Sequence, residues 1–190
     1  MQIPFVTTGK LSNIYTSSSR RGPMMPWEIR QVLAGKGIYG DRYTQGKGSY
    51  QSNGSGDRCV SLMDARMVRL LGWKPEWTRR NLFVEPTNKS REPFDLTCAH
   101  DLALNPDRVL RMHLPDDDRR ENIMIGHAVF EITGYCTPCM VPNVMRKEAE
   151  PGFTGSFMYD FAGIGGLLLK PLNNETIKVG DSFRQISRGY

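Results

Sequence analysis

The amino-acid sequence predicts a mainly β fold, a β-barrel with one or two short helices. Nineteen glycines and twelve prolines among 190 residues imply many turns between short elements. Apolar and polar residues alternate with a period of two in several short runs, which is typical of half-buried strands. The sequence shows neither an internal repeat nor a linker, so residues 1–190 are interpreted as a single domain. Closure into a barrel would remove the exposed edges of the sheet.

The N-terminal third of the chain is predicted to contribute strands separated by a loop. Residues 3–8 predict a first strand, and residues 10–15 a second strand or its continuation. Residues 17–26 are polar and contain glycine and two prolines, which predicts a loop. Residues 27–32 alternate again and are expected to return to the sheet.

The middle of the chain contains the clearest predicted helix. Residues 59–62 form a short apolar strand, and Asp64 follows as a helix-capping residue. The stripe of Ala65, Val68 and Leu71 then predicts a helix that stops at Gly72.

Two further strand regions follow a segment without clear periodicity. Residues 98–122 are interpreted as an insertion, with a charged, solvated loop at 116–121. Residues 128–133 alternate as a strand, and residues 176–186 predict a closing hairpin.

A glycine-rich segment at residues 35–48 is the first candidate ligand site. Glycines without side chains let backbone amides approach a ligand, and Lys36, Arg42 and Lys47 add positive charge. The spacing is neither that of a Walker loop nor that of a dinucleotide-binding loop. An ordinary hairpin explains the segment equally well.

Two adjacent arginines begin the predicted strand at residues 78–84. Neighbouring side chains of a strand face opposite ways, so only one of Arg79 and Arg80 is expected to point into a pocket. A planar guanidinium there would suit a phosphate, whereas a solvated strand end is the plainer interpretation.

Cys136 and Cys139 form a Cys-x-x-Cys sequence directly after the predicted strand at residues 128–133. A structural zinc site would need a second pair of ligands, which the isolated Cys59 and Cys98 do not provide. A thioredoxin-type dithiol would begin a helix, and Pro142 makes a long helix there less natural. A buried hydrophobic role suits Cys136 better than Cys139. Cys139 is therefore the candidate reactive thiol.

Composition limits the classes of partner. The formal net charge of +5 fits an anionic ligand such as a phosphate ester, and it also fits weak nucleic-acid binding. No secretion signal is visible, and the longest apolar stretch is too short to span a bilayer. Four cysteines without a signal indicate reduced thiols, and hence a cytoplasmic protein.

Taken in order, four motifs resemble the MOSC domain family, named for the C-terminal domain of molybdenum-cofactor sulfurases. They lie at residues 35–42, 79–82, 136–139 and 165–167, and the closing hairpin is also similar. The similarity spans residues 30–186 and matches the short, stand-alone form of the family.

The resemblance implies a closed or nearly closed barrel that binds the molybdenum cofactor, molybdopterin. It implies that Cys139 is the catalytic thiol and the metal ligand. The cofactor-binding residues carried over by position are Asp41, Arg42, Arg79, Arg80, Asn81, Gly165 and Gly166. One departure is Ile164, where many relatives have arginine.

Three functions remain open on this basis. The first is a molybdenum-dependent reductase of N-hydroxylated compounds that takes electrons from a separate protein. The second is a sulfur carrier in which Cys139 bears a persulfide received from a sulfur-donor protein. Pyridoxal phosphate is not expected on this chain, because the domain that uses it in the sulfurases is absent. The third, ranked last, is a basic barrel that binds nucleic acid.

Overall fold

The structure, a computed structural model, describes residues 5–48, 56–87 and 122–187. Apart from Asn122, the predicted insertion at residues 98–122 lies outside these ranges, and so do Cys98 and the charged loop at 116–121.

Eleven strands are present in the described residues. They are β1 (Phe5–Thr16), β2 (Met25–Trp27), β3 (Ile29–Leu33), β4 (Gly37–Ile38), β5 (Val60–Asp64), β6 (Leu82–Pro86), β7 (Asn122–Ile125), β8 (Ala128–Tyr135), β9 (Leu167–Pro171), β10 (Glu175–Lys178) and β11 (Ser182–Ser187).

Seven of these strands close into a barrel, which confirms the predicted fold class. Their order is β1, β11, β7, β8, β9, β5 and β6, and β6 pairs with β1 again. The long strand β1 makes closure possible because its first half pairs with β11 and its second half with β6. A β-bulge between Leu11 and Asn13 shifts the register of the pairing between β1 and β6.

One pair of barrel strands, β5 and β6, is parallel. Parallel neighbours need a crossover, and here it consists of two short helices, α1 (Ala65–Leu70) and α2 (Pro75–Thr78). Asp64 caps α1 as predicted, because its side chain accepts a hydrogen bond from the backbone N–H of Arg66 at 2.8 Å.

A small sheet of β10, β3 and β4 packs onto the barrel. Its residues Val32, Ile38 and Ile177 belong to the same buried cluster as the side chains inside the barrel.

The core has two parts because the strands next to the helices are covered on both faces. Leu62, Leu82 and Val84 point into the barrel, whereas Met63 and Phe83 pack against the helical layer.

The described residues contain four short helices rather than one or two. The two additional ones are α3 (Val141–Ala149) and α4 (Phe157–Asp160). In the sequence Pro142 makes a long helix at this point less natural, but Pro142 lies in the first turn of α3, where a missing backbone N–H costs nothing. No helix in the described ranges is long and apolar enough to cross a membrane.

Helix α3 packs on the first two helices through Arg146. The guanidinium carbon of Arg146 lies 4.6 Å from the ring centre of Trp73, 5.1 Å from that of Trp77 and 3.9 Å from that of Phe153. Cation–π contacts of this kind hold the C-terminal half of α3 against these aromatic side chains.

Candidate functional site

A cavity of about 390 Å³ is bounded by the connections that follow β4, α2 and β8. Five arginines, the loop of residues 136–139 and Asn81 contribute to its wall, and no Asp or Glu is among the described residues that line it. The arginines are Arg20, Arg42, Arg58, Arg79 and Arg80. Such a wall favours an anionic ligand, and the volume lies in the usual range of small-molecule sites.

Behind the wall, Asp41 and Asn81 hold three segments of the chain together. The carboxylate of Asp41 accepts hydrogen bonds from the backbone N–H groups of Ser17 at 3.0 Å and Tyr43 at 3.1 Å, and from the Asn81 amide at 3.1 Å. The side-chain amide oxygen of Asn81 accepts hydrogen bonds from the backbone N–H and the hydroxyl of Ser61 on β5. Asp41 is fully buried and does not line the cavity, so its contact with a ligand is indirect.

Arg79 and Arg80 both line the cavity, contrary to the expectation that only one would. That expectation assumed a strand from residue 78, but Thr78 ends α2 and β6 begins only at Leu82. Arg79 adopts the left-handed conformation, with φ 63°, and the resulting reversal turns both side chains to the same side.

Most donors of these two arginines are used inside the protein. Arg79 donates hydrogen bonds to the backbone carbonyls of Ser19, Arg20 and Gly22, and so fixes the loop between β1 and β2. Burial, and next the nearby Arg42, lower the pKa of Arg79 to about 10.

Arg80 ties together the two segments on either side of the cysteine loop. Its Nε donates to the carbonyl of Gly165 at 2.9 Å, and one Nη donates to the carbonyl of Cys136 at 3.2 Å. The other Nη lies 3.4 Å from the carbonyl of Thr78. Arg80 therefore positions the loop while adding charge to the cavity wall.

Arg42 differs from its neighbours. Its Nε and one Nη are buried, and neither has a hydrogen-bond partner among the described residues. The nearest carboxylate oxygen, on Asp41, is 3.9 Å from that Nη. Because buried donors in folded proteins are nearly always satisfied, an anionic ligand is the natural partner for this guanidinium.

The two cysteines line the same cavity but differ in exposure. Cys139 is exposed, and the partly covered Cys136 is anchored by its backbone N–H, which donates to the Gly166 carbonyl at 2.8 Å. Loss of solvent raises the pKa of the Cys136 thiol, and negative charge on Cys139 raises it further against the effect of Arg80. Cys139 lies two residues before the start of α3.

Gly165 and Gly166 lie behind the cysteine loop and are not among the described residues that line the cavity. A Cβ at Gly165 would be 2.4 Å from the Cys136 carbonyl oxygen, and one at Gly166, where φ is +96°, would be 2.1 Å from that of Leu62. The N–H of Gly165 donates to the Tyr135 hydroxyl at 2.8 Å. Their observed contacts are with the cysteine loop and β5, and a contact with cofactor phosphate stays a prediction.

The sequence reasoning missed several residues of the wall, including Arg20, Arg58, Tyr43 and Ser61. Ser61 had a detectable signal, because it is a polar residue between Val60 and Leu62 in an otherwise apolar strand. Arg20 and Arg58 lie in irregular segments, where nothing in the local pattern fixes their direction. Ile164, which departs from the arginine of many family members, packs against the helical part of the core.

Comparison with known families identifies a family match. The model of the MOSC domain matches residues 59–184, which is most of the chain. The chain belongs to the MOSC domain family. The matched residues include Arg79, Arg80, Cys139 and Gly165. Asp41 and Arg42 lie before the matched range. The fold brings Arg42 into the cavity wall and Asp41 behind it.

Solved structures share the fold of this MOSC protein at low sequence identity. The YUAD protein from Bacillus subtilis superposes with a TM-score of 0.71 at 16% identity, over 98% of this chain and 100% of that one. A hypothetical protein superposes with a TM-score of 0.54 at 13% identity, over 95% of this chain and 68% of that one. No curated protein matches significantly.

Proposed function

We propose that this MOSC protein binds the molybdenum cofactor, with Cys139 as a ligand of the metal and the arginine-lined wall as the site of the cofactor phosphate. One observation carries the proposal. An exposed thiol and an arginine with two buried nitrogens that lack partners among the described residues line the same cavity.

The residues present fit such a cofactor. Within the described ranges, no three His, Cys, Asp or Glu side chains come together to hold a metal ion, which agrees with a metal that arrives with ligands of its own. Molybdopterin supplies a pair of sulfur ligands, and a single cysteine thiolate is a soft ligand suited to the same centre. The bound cofactor would supply two-electron redox chemistry at its metal.

The protein's own groups have separable roles in this proposal. Cys139 donates its thiolate, Arg42 binds phosphate oxygen, and Arg79 and Arg80 add positive charge from fixed positions. Asp41 and Asn81 keep the segment that carries Arg42 against β5 and β6. The proposed substrates are N-hydroxylated compounds, and electrons come from a separate redox protein.

The test is the molybdenum content of protein purified from cells that make the cofactor. Replacing Cys139 with Ser exchanges a soft thiolate for a hard hydroxyl at nearly the same volume, so bound molybdenum and reduction of an N-hydroxylated substrate are expected to be lost. Cys136→Ser is the matched control. It is expected to keep the metal and to lose about 1–3 kcal/mol of stability if its hydroxyl is left unsatisfied.

Thermal midpoints of the three proteins separate loss of ligand from loss of fold. A Cys139→Ser protein that retains molybdenum, or a wild-type protein that never acquires any, would contradict the proposal.

A second candidate function is a sulfur carrier, and the observation that favours it is the second thiol. Cys136 lines the cavity that Cys139 lines, although a single-cysteine metal ligand needs no neighbour of this kind. In this form of the function a sulfur-donor protein places a persulfide on Cys139.

A further inference from the structure

The two thiols of the cysteine loop differ in their exposure to solvent. Cys139 is exposed at the end of the loop, and Cys136 is partly covered at its beginning. Between them, Thr137 is exposed and Pro138 is buried, so the chain makes a tight connection with one side chain packed inward. A sulfur donor can reach the exposed Cys139 directly, whereas Cys136 is less accessible in the wall of the same cavity.

Cys136 is held more firmly than Cys139. Its N–H donates to the Gly166 carbonyl, and its carbonyl accepts from Arg80, which is itself bound to the Gly165 carbonyl. Both cysteines line the same cavity and are three residues apart in the chain. An anchored thiol and an exposed thiol on one cavity wall, three residues apart, suit intramolecular thiol–disulfide exchange.

We propose that Cys136 is a resolving thiol that releases persulfide sulfur from Cys139. The inference rests on the sulfur-carrier form of the proposed function. Cys136 attacks Sγ of the Cys139 persulfide, a Cys136–Cys139 disulfide forms, and the bond between Sγ and the terminal sulfur breaks. The terminal sulfur departs as hydrosulfide with its electron pair and the proton of Cys136. An external dithiol then reduces the disulfide to two thiols and is itself oxidised.

The cavity wall favours this direction of cleavage. Hydrosulfide is an anion, and it leaves into a space lined by five arginines and by no carboxylate of the described residues. Arg42 offers it two N–H-bearing nitrogens without partners among the described residues. Stabilisation of a departing anion by fixed positive charge lowers the barrier for its release.

The experiment uses the full-length protein, purified without the molybdenum cofactor, reduced, and treated with one equivalent of inorganic polysulfide. Released sulfide is measured over time, and peptides are mapped by mass spectrometry. The wild type is expected to release sulfide while a linked Cys136–Cys139 peptide appears. In Cys136→Ser and Cys136→Ala, release is expected to be slower by roughly ten-fold or more, with the extra sulfur atom retained on Cys139.

The matched control is Cys59→Ala, which removes a buried cysteine that is not among the described residues lining the cavity and should leave sulfide release unchanged. Equal release from the Cys136 variants, or a stable persulfide without the linked peptide in the wild type, would overturn the resolving role and leave the carrier function standing. A wild type that takes no sulfur on Cys139 would overturn both. Molybdenum content of Cys136→Ser, measured separately, tests the cofactor function independently.

Discussion

Arg42 places a positive charge in the cavity wall, and two of its buried nitrogens have no hydrogen-bond partner among the described residues. Desolvating a guanidinium costs free energy unless hydrogen bonds or opposite charge compensate. The side chain is 15% exposed, and its contact with Asp41 at 3.9 Å is longer than a hydrogen bond. We infer that Arg42 favours binding of an anionic ligand and lowers the stability of the folded protein.

Replacing Arg42 with Met is therefore expected to weaken cofactor binding by about ten-fold or more while leaving the free energy of unfolding unchanged or raised by up to about 1 kcal/mol. Molybdenum content and urea denaturation measure the two effects. Arg30→Met is the matched control, because Arg30 also has a buried Nε without a partner in the described residues but lies outside the cavity. Loss of both stability and binding in Arg42→Met would show that the charge is structural.

Cys59 contributes a pH dependence that is independent of the site. Burial raises its pKa to about 12 from an ordinary value of 9.0. Between these values the unfolded chain loses the thiol proton and the folded chain keeps it, so the folded state binds more protons. Stability must then fall as pH rises, by up to about 1.4 kcal/mol per pH unit from this group.

In Cys59→Ala this contribution is absent. We expect the difference in unfolding free energy between wild type and variant to shrink as the pH rises from 9 toward 11, measured by urea denaturation at each pH. The lost volume of the thiol adds an offset that does not vary with pH. Parallel pH profiles for the two proteins would show that Cys59 is not protected from ionisation.

At the scale of elements, the cysteine loop depends on one arginine. Arg80 bridges the carbonyls of Cys136 and Gly165, which belong to the segments before α3 and before β9. Its guanidinium carbon also lies 5.5 Å from the ring centre of Phe157 on α4.

Arg80→Met is expected to lower the free energy of unfolding by about 2–4 kcal/mol, because hydrogen bonds from a charged donor are lost and two carbonyls remain buried. Arg80→Lys keeps the charge but cannot reproduce the planar fork, so it should recover only part of this loss. Urea denaturation compares the three proteins. Full stability of Arg80→Lys would mean that charge alone holds the loop.

The sequence predicts best those elements in which apolar and polar residues alternate regularly or a capping residue marks the start of a helix. Strand alternation and the Asp64 cap were visible in the sequence, and both are present in the structure. Helix α3 is not predicted because Pro142 makes a long helix at this point less natural, although proline disrupts the interior of a helix and not its first turn. The turn at Arg79 could not be foreseen, because a left-handed arginine is fixed by tertiary contacts and leaves no local pattern.

The chemical type of a site residue can be recognised in the sequence, but its hydrogen-bonding state cannot. Cys139 and the arginines near it are chemically distinctive types, and motif order was enough to suggest them. Which nitrogens are already bonded is a property of the assembled molecule, so the difference between Arg42 and Arg80 appears only in three dimensions.

At the scale of the whole molecule, closure of the barrel depends on β11, which lies between β1 and β7. Arg184 on this strand is opposite Thr8 on one side and Met124 on the other, and its side chain is exposed. Because both neighbours are strands, the N–H of residue 184 faces a partner whichever way it points.

Arg184→Pro is expected to destabilise the protein by about 2 kcal/mol or more through the lost ladder hydrogen bond and the steric demand of the ring. Arg184→Ala removes the same exposed side chain and should stay within about 0.5 kcal/mol of the wild type. Denaturation midpoints of the pair isolate the backbone effect. A tolerated proline would show that the barrel does not need continuous pairing at this strand.

The way the cysteine loop is held has a consequence for engineering. The contacts that fix it from behind are made to main-chain atoms, namely the N–H and carbonyl of Cys136 and the carbonyl of Gly165. Main-chain anchors do not depend on which side chain the loop displays. The exposed Thr137 is therefore a position at which a library of side chains can reshape the entrance while the sulfur of Cys139 keeps its place.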